Sequence, residues 1–142
     1  VVALDSSADA LALAAENVAR NALESRVTLL ASDWFQAVPP GHFGAVVANP
    51  PYLSAAEHQA AAPEVREFEP ERALTAAEDG TRDLEILIRE APRFLARGGL
   101  LALETGVGQR SRLGACLQST GYSQIDFRDD LAGRERFILA VW

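Results

Sequence analysis

Phe43-Gly44-Ala45-Val46-Val47-Ala48-Asn49-Pro50-Pro51-Tyr52 is the stretch that decides how this chain folds. An apolar, β-rich run that meets two prolines at once reads as a buried strand with an abrupt end. Each proline fixes φ and lacks an N–H, and Pro51 also pushes Pro50 into an extended conformation. The corner is therefore stiff, and its carbonyls stay free to accept hydrogen bonds. Asn49 adds a side-chain acceptor and two donors at the strand's carboxyl end, where open α/β sheets place their ligands. Tyr52 adds an aromatic face. Together the four residues make a rigid, uncharged cradle for a flat NH2-bearing group.

On the amino-terminal side of this corner, residues 1–4 form a short buried-strand pattern that ends at Asp5. Ser6 with Asp9 three residues later resembles a capping box, and Leu11, Ala15, Val18 and Ala22 form the apolar stripe of the helix it would start. A second strand is expected over residues 27–31, followed by Ser32-Asp33-Trp34-Phe35. Pro39-Pro40-Gly41 is the expected turn into the strand at 43–48. Beyond the corner, residues 50–80 show little periodicity, and a loop that long inside a domain is functional or disordered.

Leu84, Leu87, Ile88, Ala91, Phe94 and Leu95 then mark an amphipathic helix, which Pro92 should kink or end. Arg97-Gly98-Gly99 turns into a strand at 100–105. A helix over 109–120 stops at Gly121, and strands follow at about 124–127 and 136–142. The short loop around 130–134 predicts that these last two pair antiparallel. The alternation before them calls for a mostly parallel sheet with helices on both faces, in one domain or part of one.

The 142 residues are 49% hydrophobic, enough for a real core. Net charge is -7, and the arginines are scattered. The basic stripe that would grip nucleic acid phosphates is missing. The acidity reads either as ordinary solubility or as a match to a cationic cofactor or basic protein partner. A single cysteine excludes an internal disulfide and a Cys-based zinc site. Cys116 falls with Leu113, Leu117 and Thr120 at helical spacing, as a buried structural thiol would.

His42 and His58 lie in polar, loop-like stretches without spaced partners, so triad hydrolysis and metal catalysis are both disfavoured. No stretch approaches the roughly 18 apolar residues of a membrane span, and no signal peptide is visible, so a cytoplasmic location without a membrane partner is expected. Methionine is absent even at position 1, from which a fragment or excised domain is expected.

Asp5, Asp33-Trp34, Asn49-Pro50-Pro51-Tyr52, Val65-Arg66-Glu67-Phe68-Glu69-Pro70 and Glu104-Thr105-Gly106 occur in a familiar order and spacing. The chain resembles, over essentially all its length, the HemK/PrmC protein glutamine N5-methyltransferases. Those enzymes use S-adenosylmethionine to methylate the Gly-Gly-Gln glutamine of peptide chain release factors. The Asn-Pro-Pro-Tyr tetrad is shared with enzymes that methylate the amino groups of adenine or guanine. The Arg66…Phe68-Glu69-Pro70 element favours the protein-glutamine branch.

The resemblance implies a Rossmann-like class I methyltransferase sheet with a C-terminal antiparallel strand pair. It places Asp5 at the cofactor ribose hydroxyls, although that position alone reads equally as an acid at a helix start. It places Asp33 near the adenine amino group and Trp34 beside the adenine ring; in isolation the pair would read as a cap with a packed indole. Arg66, Phe68, Glu69 and Pro70 are implied in the substrate loop, with a solvated charge as the alternative for Arg66. Glu104 matches a strand-end acid without a firm role, a structural salt bridge being the other reading.

By the same resemblance, residues 1–142 are expected to be a partial catalytic domain. The Gly-rich loop and first strand of the sheet, and the N-terminal helical domain linked to release-factor binding, would all precede Val1. Gly106-Val107-Gly108 follows a later strand and is no substitute. The strands at residue 1 and residue 43 are expected to lose a pairing partner between them.

The implied chemistry is one in-line displacement. Asn49 Oδ1 and the Pro50 carbonyl would accept both amide hydrogens of the substrate glutamine, with Pro51 stiffening the corner and Tyr52 packing on the amide plane. Asn49 would thereby stand at the cofactor's methyl as well as at the substrate. A ribosomal-protein glutamine methyltransferase, a nucleobase amino-methyltransferase acting on a flipped base, and a non-catalytic partner-binding domain remain the competing readings.

Overall fold

The computed structural model of the chain describes residues 1–39, 41–77 and 79–142. They divide into two compact units, Val1–Pro40 and Gly41–Trp142. The expected turn at Pro39-Pro40-Gly41 includes residue 40 and so lies partly outside the described residues.

In the first unit, β1 (Val2–Asp5) and β2 (Thr28–Ala31) pair in parallel, from Val2 opposite Thr28 to Asp5 opposite Ala31. Helix α1 (Ala8–Arg20) makes the crossover between them. Its cap is Ser7, not Ser6: Ser7 Oγ accepts the Ala10 N–H at 3.3 Å, and no capping box forms. The reason is local. The Asp5 carboxylate accepts the Ser7 N–H at 2.7 Å and sets Ser7 at the helix start. The expected stripe also shifts, because Ala10, Leu11, Ala14 and Val18 are half-buried while Ala15 and Ala22 are exposed. Ala22 lies past the helix end with φ at +52°. Phe35 and Val38, just after β2, are the buried apolar residues of this unit.

The second unit holds a four-stranded sheet built from β3 (Phe43–Ala48), β4 (Leu95–Glu104), β5 (Gln124–Asp129) and β6 (Glu135–Val141). Its order is β3-β4-β6-β5. β3 and β4 are parallel, whereas β6 runs antiparallel to both β4 and β5. The last two strands therefore pair as expected, and the sheet is mixed. β4 begins five residues before its expected start. Gly98, at φ +76°, lets Arg97-Gly98-Gly99 pass as an irregularity inside the strand, where the β3 register slips between Phe43 and Ala45.

The amphipathic helix of this unit is α5, with four others numbered around it in chain order. α5 (Arg82–Glu90) gives way to a 3₁₀ turn, Ala91–Arg93, at the proline. α6 (Arg110–Thr120) ends on Gly121 in the left-handed conformation at φ +105°. Leu84, Leu87, Ile88, Leu113 and Leu117 of these helices are buried with Leu101, Leu103, Ile138 and Ala140 of one sheet face. Gly114 lies against the Phe127 ring on that same face. On the opposite face Val47 is 77% exposed.

The described residues of 50–80 are not a featureless loop. They fold as α2 (Ala55–Ala60), α3 (Pro63–Phe68) and α4 (Glu71–Leu74). The signals were local ones that periodicity misses in helices this short. Ser54 and Glu57 form a complete capping box, and Pro63 opens α3 at its first turn.

Candidate active site

The strand β3 delivers Asn49 to its carboxyl end, one step beyond the pairing of Ala48 with Leu103. Asn49 is exposed, and its side chain makes no hydrogen bond to a described residue. Pro50 is buried, with Pro51 and Tyr52 half-buried behind it, so an unspent amide sits on a fixed base. A mostly apolar hollow of about 290 Å³ opens beside it, with Val47, Ala102, Glu104, Phe137 and Leu139 among its walls.

The structure holds Tyr52 at both ends. Its backbone carbonyl accepts the Gln109 side-chain N–H at 2.9 Å, and the same amide donates to the Asp79 carbonyl at 3.3 Å. Gln109 Oε1 in turn accepts the Gly106 N–H at 2.9 Å. Gly80, at φ +81°, packs so closely on the Tyr52 carbonyl that a Cβ there would overlap it. At the other end, the Tyr52 hydroxyl donates to Glu104 Oε1 at 2.9 Å and accepts from Arg136 Nη1 at 3.0 Å. Burial and the adjoining Glu104 carboxylate push the phenol above its ordinary value, with Arg136 opposing. The proton therefore stays on Tyr52 and is donated to Glu104.

Tyr52 and Leu53 also close the excursion that follows. Their N–H groups both donate to the Leu74 carbonyl, at 3.1 and 2.9 Å, and Leu53 bridges Thr75. Arg66 and Phe68 lie on α3 inside that excursion, Glu69 ends α3, and Pro70 precedes α4. All four are exposed, Phe68 at 82%. Among the described residues Arg66 reaches the Gln59 carbonyl and Glu67. Among the described residues no hydrogen bond ties this group to Asn49.

Asp5, Asp33 and Trp34 belong to the Val1–Pro40 unit. Because β1 and β2 are parallel, their carboxyl ends coincide, and the Ser32 N–H donates to the Asp5 carbonyl at 3.1 Å. Asp5 Oδ1 accepts the Ser7 N–H, and Oδ2 makes no hydrogen bond to a described residue. Asp33 is exposed and accepts from Gln36. Trp34 sits half-buried at φ +47°, its carbonyl held by the buried Ser32 hydroxyl at 2.6 Å.

Gly80, Gln109 and Arg136 were missed as site residues in the sequence, and Glu104 had no firm role there. Parallel pairing of β3 with β4 alone would have placed Glu104 level with Asn49, but Arg136 depends on the β4–β6 register. His58 also differs from expectation: it is buried on α2 with Nε2 unpartnered among the described residues. Cys116 is a buried free thiol of α6, which burial pushes above its ordinary value.

Comparison with known proteins bears on this arrangement. Residues 1–68 match the family described as Methyltransferase small domain. The chain is 41% identical over 139 residues to a Release factor glutamine methyltransferase of Cereibacter sphaeroides, covering 98% of this chain and 50% of that protein. It is 38% identical over 134 residues to one of Agrobacterium fabrum, covering 94% of this chain and 46% of that protein. The chain thus spans about half the length of the curated relatives it matches. A crystal structure of a methyltransferase from Pyrococcus furiosus superposes with a TM-score of 0.72 at 17% identity, over 99% of this chain and 61% of that one, which speaks to fold alone. Over nearly its whole length, then, the chain is similar to one part of the release factor glutamine methyltransferases.

Proposed function

We propose that the protein carrying this chain uses S-adenosylmethionine to methylate the side-chain amide nitrogen of the glutamine in the Gly-Gly-Gln motif of peptide chain release factors. The observation that carries the reading is Asn49: an exposed carboxamide without a partner among the described residues, on a proline-stiffened strand end. An amide nitrogen is a poor nucleophile because its lone pair is delocalised into the carbonyl. S-adenosylmethionine, when bound, supplies a methyl group on a sulfonium, which removes the need for a covalent enzyme intermediate.

The residues fit such a cofactor. The free Oδ2 of Asp5 suits a ribose diol, and Asp33 with Trp34 offers an acid and an aromatic edge beside it. Asn49 Oδ1 and the Pro50 carbonyl would accept both hydrogens of the substrate amide, fix the direction of its nitrogen and stabilise the positive charge that develops there. Tyr52 would border the amide plane and exclude water, without exchanging a proton, since its hydroxyl is already committed to Glu104 and Arg136.

The test is Asn49→Ala in the complete polypeptide, with methyl transfer to a release factor as the readout. Loss of one preorganised acceptor should cost on the order of 3 kcal/mol in the barrier, about a hundredfold in turnover, while cofactor affinity holds. Turnover within a few fold of the parent, or equal transfer to a release factor whose motif glutamine is replaced by alanine, would overturn the reading.

A further inference from the structure

The strand β6 sends one side chain, Arg136, across 84 positions of sequence to Tyr52. Its Nη1 donates to the Tyr52 hydroxyl and also to the buried Thr105 carbonyl at 3.2 Å. The Thr105 N–H donates back to the Arg136 carbonyl at 2.8 Å, so backbone and side chain of Arg136 are both tied to the end of β4. The guanidinium carbon lies 5.5 Å from the Tyr52 ring centroid, over the ring. Glu104 stands 3.9 Å from Nη1, at the outer limit of an ion pair. The two charges are joined through the phenol, which donates to one and accepts from the other.

A hydroxyl has one hydrogen, and this one is spent on Glu104. Gripped on both sides, the hydroxyl holds the ring in place, with a cation over one ring face. Both hydrogen bonds come from one nitrogen, Nη1, while the guanidinium carbon lies over the ring.

We propose that Arg136, acting with Glu104, is a positioning residue that sets the orientation in which Tyr52 meets the substrate carboxamide. This rests on the function proposed above. Arg136 touches neither the reacting nitrogen nor the methyl group; it acts through Tyr52. Small misplacements of a group bordering the reacting atoms are costly, a shift of about 1 Å carrying up to roughly a hundredfold in rate.

The experiment is a double-mutant cycle in the complete polypeptide with Arg136→Met, Tyr52→Phe and the double variant. Arg136→Ala replaces the methionine variant if the latter does not fold. Each single change should lower kcat for amide methylation on the order of tenfold, with the cofactor KM unchanged. The double variant should be no worse than either single, because both remove the same link. Multiplying losses would overturn the inference.

A second readout needs no activity. Ring-carbon NMR of labelled tyrosine, assigned with Tyr122→Phe, follows the ionisation of Tyr52. Removing Arg136 leaves burial and Glu104 unopposed, so the Tyr52 midpoint should rise. A midpoint that stays put sinks the positioning role. A parent protein inactive on every carboxamide, with the midpoint shifted as expected, would sink the functional reading and leave the positioning contact standing.

Discussion

Replacing Gln109 with leucine tests the clamp on the Tyr52 backbone. Gln109 is 7% exposed, and its amide makes two bonds of 2.9 Å and one of 3.3 Å. Leucine nearly preserves volume, so the cost should come from polar groups rather than from a cavity. Each of the two short bonds contributes about 1 kcal/mol net, and the Gly106 N–H and Tyr52 carbonyl left behind are partly or fully buried. An unsatisfied buried group costs a further 1–3 kcal/mol or so. Allowing partial access of water to the Tyr52 carbonyl, the sum is roughly 3 kcal/mol. That is a large share of the ~5–15 kcal/mol stability of an ordinary domain. Urea unfolding of the complete polypeptide, followed by far-UV circular dichroism, should show the midpoint fall with an unchanged slope. A loss below about 0.5 kcal/mol would refute the clamp, because a surface glutamine would give that much.

Three further outcomes follow from the same structure. Gly80→Ala should be more damaging than an ordinary surface change: it places a Cβ on the Tyr52 carbonyl at a φ of +81°, and a thermal melt within a degree or two of the parent would contradict that close approach. Asp5→Ala should weaken S-adenosylmethionine binding in a calorimetric titration, and unchanged affinity would remove Asp5 from the ribose role. Glu85 supplies the pH prediction: burial alone would raise its value, but hydrogen bonds from Arg112 and Arg89, both at 2.6 Å, outweigh burial and lower it. Its contribution to stability is therefore complete above its ordinary value of 4.5 and is lost as pH falls below that toward the folded-state value. Glu85→Gln should flatten the acid side of the stability profile, and an unaltered slope there would show that the pairing contributes nothing.

Much of the molecule was written in local sequence. Two prolines after six apolar residues end a strand, because neither carries the N–H a ladder needs and Pro51 holds Pro50 extended. The stripe from Leu84 to Leu95 became core at every position, and Pro92 converted the helix end to a 3₁₀ turn. Where local signals were ambiguous by one residue, as with Ser6 and Ser7, the choice fell to a hydrogen bond from the Ser7 N–H to Asp5 that only the folded turn contains. Helices of four to six residues in 50–80 escaped because one turn carries too few apolar positions for a period to show.

The placement of Asn49 at a strand's carboxyl end was likewise legible, since it follows directly from the apolar run before it. The support beneath it was not. Gly80, Glu104, Gln109 and Arg136 come from four separated places and meet at Tyr52 only after β4 has paired with β3 on one side and β6 on the other. A strand's side chains alternate with a period of two, so a register one residue away would have turned Arg136 to the opposite face. Register is fixed by the packing of whole faces, Leu101 and Leu103 with Ile138 and Ala140 against α5 and α6, and that long-range sum is not present in any short stretch of residues.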